Sequence, residues 1–80
     1  MEYIWIDVQK KESQVCILAA EGVVVEKRIR TERERFSELL EGRSSASILI
    51  ESSTESPWVA RCLEGLGHEV VVADPNLRWL

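Results

Sequence analysis

Three strand-like segments open the chain, and two helix–strand units follow them. Apolar and β-branched residues dominate 3–8, 14–20 and 23–30, and polar or glycine-containing turns separate these segments. Two amphipathic helical patterns come next, and each leads into a further strand-like segment, at 47–52 and at 68–74. The chain is therefore predicted to be an α/β protein with the order βββαβαβ.

The connections between these segments predict how the strands pair. Short turns join the first three strands, so they form an antiparallel meander in which the second strand is reversed. Strands joined through helices are parallel, with right-handed crossovers. The simplest sheet that meets both conditions is a mixed five-stranded sheet of order 3-2-1-4-5. This is the ribonuclease H-like arrangement, by analogy at the level of the fold.

Capping signals predict where the two helices begin. Thr31 and Glu34 match a capping box, in which the Thr hydroxyl binds a backbone N–H of the first turn. Ser56 is predicted to be the N-cap of the second helix, with Pro57 at its first helical position. A glycine follows each helical pattern and is expected to end it.

The size and composition of the chain limit its class. Eighty residues make one small domain with a thin core, so we expect either a fragment of a longer protein or a homo-oligomer. No apolar run has the roughly 20 residues of a membrane span, and the acidic N-terminus does not resemble a signal peptide. Cys16 and Cys62 lie in apolar segments and are interpreted as reduced core residues of a cytoplasmic protein.

Two acidic residues mark the candidate site. Asp7 lies near the end of the first strand and Glu51 near the end of the fourth, and these strands are predicted to be adjacent and parallel. Their carboxylates are therefore expected at one sheet edge, where they can share Mg²⁺ or Mn²⁺, which prefer oxygen ligands. Metal ions so placed can promote phosphodiester cleavage. The alternative is that Asp7 caps the turn at 9–13 and Glu51 points to solvent.

A second candidate site is a basic strip. The net charge of −4 argues against a protein that binds nucleic acid through its overall charge. The stretch 26–35 nevertheless concentrates Lys and Arg, and the residues predicted to contact nucleic acid are Lys10, Lys11, Arg28 and Arg30. The alternative is a solvated face of mixed charges, because three glutamates are interleaved in the same stretch.

Other residues have a simpler interpretation. Asp74 is expected to be a turn residue rather than a third ligand, and His68 a surface or strand-start histidine rather than a base. The loop 51–56 is expected to cap a helix rather than bind an anion. Trp5 and Trp58 are interpreted as core or interface aromatics.

Three motifs resemble one protein family. They are D-V-x-K-K-x-S-Q at 7–14, E-x-S-T-x-S-x-W-V-A at 51–60 and G-H-E-V-x-V-A-D-P-N at 67–76. Almost the whole chain is similar to the N-terminal part of the DEDD-type insertion-sequence transposases, a family that includes the pilin-gene invertases. The resemblance implies a RuvC-like catalytic domain whose first two acids are Asp7 and Glu51. The chain departs from the family at Gln9 and Pro57, where members often carry histidine.

The resemblance also implies a function and partners. The family's third and fourth acids lie downstream, in a helix with a K-T-D-x-x-D-type pattern, and a serine-bearing C-terminal domain follows. We therefore expect an N-terminal fragment of a DNA transposase or recombinase, inactive alone, with DNA and, for some members, a guide RNA as partners. The alternative is a non-catalytic module that binds or self-associates.

Overall fold

The computed structural model describes residues 2–19, 21–22 and 24–73. The order of its elements is βββαβαβ, as predicted. The predicted turn at Asp74 lies outside the described residues. The strands are β1 (Glu2–Val8), β2 (Glu12–Leu18), β3 (Val24–Arg30), β4 (Ala46–Glu51) and β5 (Glu69–Ala73), and the helices are α1 (Arg33–Leu40) and α2 (Ser56–Gly65).

The strands form one mixed sheet of order β3-β2-β1-β4-β5. β2 is antiparallel to both of its neighbours, and β4 is parallel to both β1 and β5. The predicted α/β class, strand order and strand directions are confirmed. This topology makes β1 and β4 parallel neighbours, so their carboxyl ends lie at the same edge of the sheet.

Both helices pack on one face of the sheet, which we call the covered face. Phe36 and Leu40 of α1 and Val59 and Leu63 of α2 are fully buried there. Alternate residues of the strands point toward these helices and complete the core, among them Ile4, Ile6, Val15, Ile17, Ile48 and Ile50. Burial of this apolar face is the main force that holds the layers together.

The other face, which we call the open face, has no helix over it among the described residues. Alternation along the strands places five large apolar residues there, and each is between 38% and 59% exposed: Tyr3, Trp5, Leu18, Leu49 and Val71. Such a contiguous apolar surface is unusual for an isolated monomer. Neither of the two helices in the described ranges has the length and apolar character needed to cross a bilayer.

The predicted capping box at the start of α1 is wrong. The helix begins at Arg33, after Glu32, and no side chain caps it. The buried Thr31 hydroxyl instead donates to the carbonyl oxygen of Gln9 at 2.6 Å and lies 2.7 Å from the Ser13 hydroxyl. Thr31 therefore fastens the β3–α1 junction to the β1–β2 turn.

The start of α2 also differs from the prediction. Ser56 is the first helical residue rather than the N-cap, and Pro57 follows it. The Ser56 hydroxyl donates to the carbonyl oxygen of Glu51 at 2.6 Å and accepts the backbone N–H of Ser53 at 2.9 Å. This side chain therefore closes the turn between β4 and α2. The predicted helix-ending glycines are confirmed, since Gly42 and Gly67 have φ values of 79° and 93°.

His68 lies just before β5 and is buried, so of the two predicted alternatives the strand-start residue is confirmed and the surface residue is wrong. Its Nδ1 accepts the backbone N–H of Ala46 at 3.1 Å, which leaves Nε2 to donate to the carbonyl oxygen of Leu40 at 3.3 Å. The ring thereby joins the end of α1, the start of β4 and the start of β5. Its role in the fold is structural.

The cysteines and tryptophans occupy different layers. Both cysteines are free, as predicted, and burial raises the pKa of the Cys62 thiol. Cys16 is only half-buried on the open face, so the prediction of a core residue is wrong for it. Trp58 packs edge-to-face on Phe36 with ring centroids 6.1 Å apart, whereas Trp5 lies on the open face.

Candidate functional site

Asp7 and Glu51 lie side by side at the carboxyl edge of the sheet. Ile6 of β1 pairs with Ile50 of β4, and each acid is the next residue along its strand. Trp5 and Leu49, which precede the two acids by two residues, are paired and exposed on the open face. Alternation therefore places both acids on the open face, on strands about 4.8 Å apart. The structure brings together the two residues that the sequence singles out.

Two glutamine side chains border the Asp7 carboxylate. The Gln9 amide donates to Asp7 Oδ2 at 3.4 Å, and Gln14 is the cross-strand partner of Asp7 on β2. Asp7 is half-buried, so it is not the fully buried strand acid that its apolar neighbours suggest. Partial exposure to water and the polar glutamine neighbours lower the desolvation cost of placing this carboxylate in a strand.

Glu51 is the last residue of β4, and its backbone is fixed while its side chain is exposed. The Ser56 hydroxyl binds its carbonyl oxygen, and the following residue, Ser52, donates its N–H to the carbonyl oxygen of Ala73 at 2.7 Å. These two hydrogen bonds hold the end of β4 between α2 and β5. The carboxylate is therefore presented from a rigid backbone, next to the strand that carries Asp7.

Within the described part of the chain, no basic side chain forms an ion pair with either acid. Three ion pairs occur within 2–19, 21–22 and 24–73, and none of them involves Asp7 or Glu51. The same ranges contain no group of three or more His, Cys, Asp or Glu side chains placed to hold a metal ion. Among the described residues, the site therefore offers two carboxylates as donors. This number suits Mg²⁺, which commonly takes one or two carboxylates and keeps several waters.

The basic candidates flank the acids on the β2–β3 side. Lys10 and Lys11 are exposed in the β1–β2 turn and line one shallow hollow together with Arg30. Arg28 lines a second hollow, together with Asp7, Gln9 and Gln14. All four basic residues predicted to contact nucleic acid thus lie at or near the edge that carries the acids.

A polar row across three strands connects Arg28 to Asp7. The register pairs Asp7 with Gln14 and Gln14 with Arg28, and the Arg28 guanidinium donates to the Gln14 amide oxygen at 3.4 Å. Two strand spacings, about 10 Å, separate the backbone of Asp7 from that of Arg28. Arg35 fits the mixed-charge alternative instead, because it pairs with Glu32 and Glu38 at the surface.

The loop before α2 uses its own side chains as hydrogen-bond partners. The Ser53 hydroxyl accepts the N–H of Glu55 at 3.3 Å, and the Ser56 hydroxyl accepts that of Ser53. These bonds pair the side chains of the loop with its own backbone, but no side chain caps α2, so the predicted capping role of 51–56 is wrong. Sequence reasoning missed Gln14, whose only signal was its place opposite Asp7 in the meander.

Comparison with known proteins adds no family assignment. No protein-family model and no curated protein matches the chain. The similarity to the DEDD-type transposases therefore stays a prediction from the three motifs, and so does the ribonuclease H-like assignment of the sheet. The geometry itself shows two carboxylates at one sheet edge, without an ion-pair partner among the described residues and with basic side chains beside them.

Proposed function

We propose that this chain provides the first two acidic ligands of a divalent-metal site for phosphodiester chemistry on DNA. In this proposal it is the N-terminal part of a RuvC-like transposase or recombinase domain. The observation that carries the proposal is the placement of Asp7 and Glu51 on one face, at the ends of adjacent parallel strands. Ligand sites of α/β sheets favour this edge.

The donor chemistry of the site fits Mg²⁺ or Mn²⁺. Carboxylate oxygens are the ligands that these ions prefer, and no lysine or arginine forms an ion pair with either acid in the described part of the chain. A bound ion would supply a polarised phosphoryl oxygen and an activated water. Asp7 and Glu51 would hold it, and Gln9 would orient the Asp7 carboxylate. The third and fourth acids that the family resemblance implies lie beyond these residues.

The basic residues provide positive charges for the phosphates of a nucleic-acid backbone. Arg28 lies about 10 Å from Asp7, at the other end of the polar row. Lys10, Lys11 and Arg30 add three positive charges along the same edge, in a hollow that Glu12 and Glu32 also line. A DNA strand laid along this edge would place its phosphates on these cations and one phosphodiester over the acids. Such contacts position the backbone without reading sequence.

The metal proposal is tested by titrating Mn²⁺ and following the electron paramagnetic resonance signal of the free ion. Replacing Asp7 with asparagine is expected to raise the Kd for Mn²⁺ by about tenfold or more, because one of two charged ligands is lost. Glu12→Gln is the matched control, since it removes an exposed carboxylate from the same hollow. Equal affinity of the Asp7→Asn variant and the unsubstituted chain would contradict the ligand role.

The DNA proposal is tested by fluorescence anisotropy with a duplex at several salt concentrations. Arg28→Ala and Arg30→Ala are each expected to weaken binding similarly for unrelated sequences and to reduce the slope of log K against log salt by about 1. Arg61→Ala is the control, because Arg61 is exposed on α2, on the far side of the sheet. An equal effect of Arg61→Ala would show that only overall charge matters.

A second candidate function is assembly. The exposed apolar residues of the open face favour it, because a surface of this kind is commonly covered by another chain or segment. As a non-catalytic module, the chain would self-associate or bind a partner without metal chemistry. Metal affinity and oligomeric state are measured independently, so the two candidate functions are separable.

A further inference from the structure

We propose that β5 is an assembly edge, along which two copies of this chain pair strand to strand about a two-fold axis. β3 and β5 are the outer strands of the sheet, and each has one side without a neighbouring strand in the described ranges. An outer strand presents unpaired N–H and C=O groups, to which another strand can add. The inference gives the second candidate function a specific surface and does not depend on the metal site.

The two outer strands differ in how many charged residues they carry. Four of the seven residues of β3 are charged: Glu26, Lys27, Arg28 and Arg30. Charged residues on an outer strand are a common protection against pairing. β5 reads Glu-Val-Val-Val-Ala, and Val71 and Val72 are 52% and 43% exposed. Within the described residues, β5 is therefore the outer strand with the less protected edge.

Backbone directions show which groups of β5 are available. The carbonyl oxygen of Ala73 accepts the N–H of Ser52, so Ala73 directs its backbone groups toward β4. The N–H and C=O of one strand residue point to the same side, and successive residues alternate. Val71 therefore faces β4 as well, whereas Val70 and Val72 direct their N–H and C=O groups outward. The edge offers two donors and two acceptors in regular spacing.

A second copy of β5 matches this edge in one antiparallel register centred on Val71. Val70 then lies opposite Val72 of the partner copy, and the two symmetric pairs exchange four backbone hydrogen bonds. Val71 lies opposite its own copy at a Cα separation of about 4.5 Å, as a non-hydrogen-bonded pair. Glu69 falls opposite Ala73, so no like charges meet.

Antiparallel pairing of two copies of β3 about a two-fold axis is less favourable. Centred on Lys27, it would place two lysine side chains directly opposite each other, which is destabilising. Of the two outer strands, β5 is therefore the one whose charges allow it to pair with its own copy. An isologous interface of this kind closes a dimer with one continuous ten-stranded sheet, so it does not propagate into a fibre.

Sedimentation equilibrium over a range of concentrations tests this register. The unsubstituted chain is expected to dimerise, and Val71→Lys and Val71→Glu are each expected to raise the dimer dissociation constant by about tenfold or more, because like charges then face each other across the axis. An equimolar mixture of the two variants is expected to restore the dimer as a heterodimer. Restoration is specific to a two-fold contact at residue 71.

Three further variants separate this edge from other contacts. Val72→Pro removes an outward N–H without touching the β4 ladder, so it is expected to dissociate the dimer while circular dichroism stays unchanged. Val24→Lys on the β3 edge and Trp5→Ser on the open face are expected to retain it. A monomer at every concentration, or a dimer that survives Val72→Pro, would overturn the proposal. Dissociation by Trp5→Ser with retention by Val72→Pro would also overturn it, and would assign self-association to the open face.

Discussion

Replacing Phe36 with alanine is expected to lower the free energy of unfolding by about 3–5 kcal/mol. Phe36 is the largest fully buried side chain of the described core, and its ring meets Trp58 edge-to-face. It fills the space where α1, α2 and the covered face of the sheet come together. A chain of 80 residues has little stability in reserve, so a loss of this size approaches its whole stability.

Urea denaturation followed by far-ultraviolet circular dichroism measures this loss. Phe36→Leu is the matched control, because it keeps the site apolar and most of its volume, and it is expected to cost about half as much or less. Ring-to-ring packing accounts for only part of the difference, since an aromatic pair contributes about 0.5–1.5 kcal/mol beyond its buried area. If Phe36→Ala changed stability by less than Phe36→Leu, the proposed core packing would be wrong.

Replacing His68 with alanine is expected to cost about 2–4 kcal/mol. The substitution leaves the buried N–H of Ala46 without a partner, and it removes one of the two donors to the carbonyl oxygen of Leu40, which keeps the N–H of Arg43 at 3.3 Å. Each unsatisfied group costs about 1–3 kcal/mol, because it gives up water without gaining a protein partner. The same change loosens the point where the starts of β4 and β5 and the end of α1 are joined.

Two isosteric variants distinguish hydrogen bonding from packing at this position. Asparagine places an oxygen near the Nδ1 position and is expected to keep the bond from Ala46, whereas glutamine places an amide N–H near Nε2 and is expected to keep the bond to Leu40. Each variant should recover part of the stability that alanine loses, as measured by urea midpoints. If leucine at residue 68 were as stable as histidine, the hydrogen-bonding role would be refuted.

The strand order and the pairing of the acids follow from the sequence because they depend on local signals. Apolar alternation in 3–8 and 47–52, short turns and two crossovers leave one simple sheet, and that sheet places Asp7 beside Glu51. The glycines that end the helices are also predictable from a local signal, since a positive φ at that position favours glycine over other residues.

The roles of the short polar side chains do not follow from local signals. Thr31 matches a capping box in sequence, but its hydroxyl binds groups 18 and 22 residues away. His68 likewise finds its partners 22 and 28 residues away, at positions fixed only once the sheet and helices are packed. A hydroxyl or imidazole pairs with whichever backbone group the fold leaves unsatisfied, so its partner is a property of the tertiary structure.

A double-variant Mn²⁺ titration is the most direct test that Asp7 and Glu51 act as one site. Affinity is measured for the unsubstituted chain, for Asp7→Asn, for Glu51→Gln and for the double variant. If one ion bridges both carboxylates, each single variant loses most of the binding and the double variant loses little more. Independent, additive losses, or Mn²⁺ affinity unchanged in all three variants, would contradict a shared metal site at this edge of the sheet.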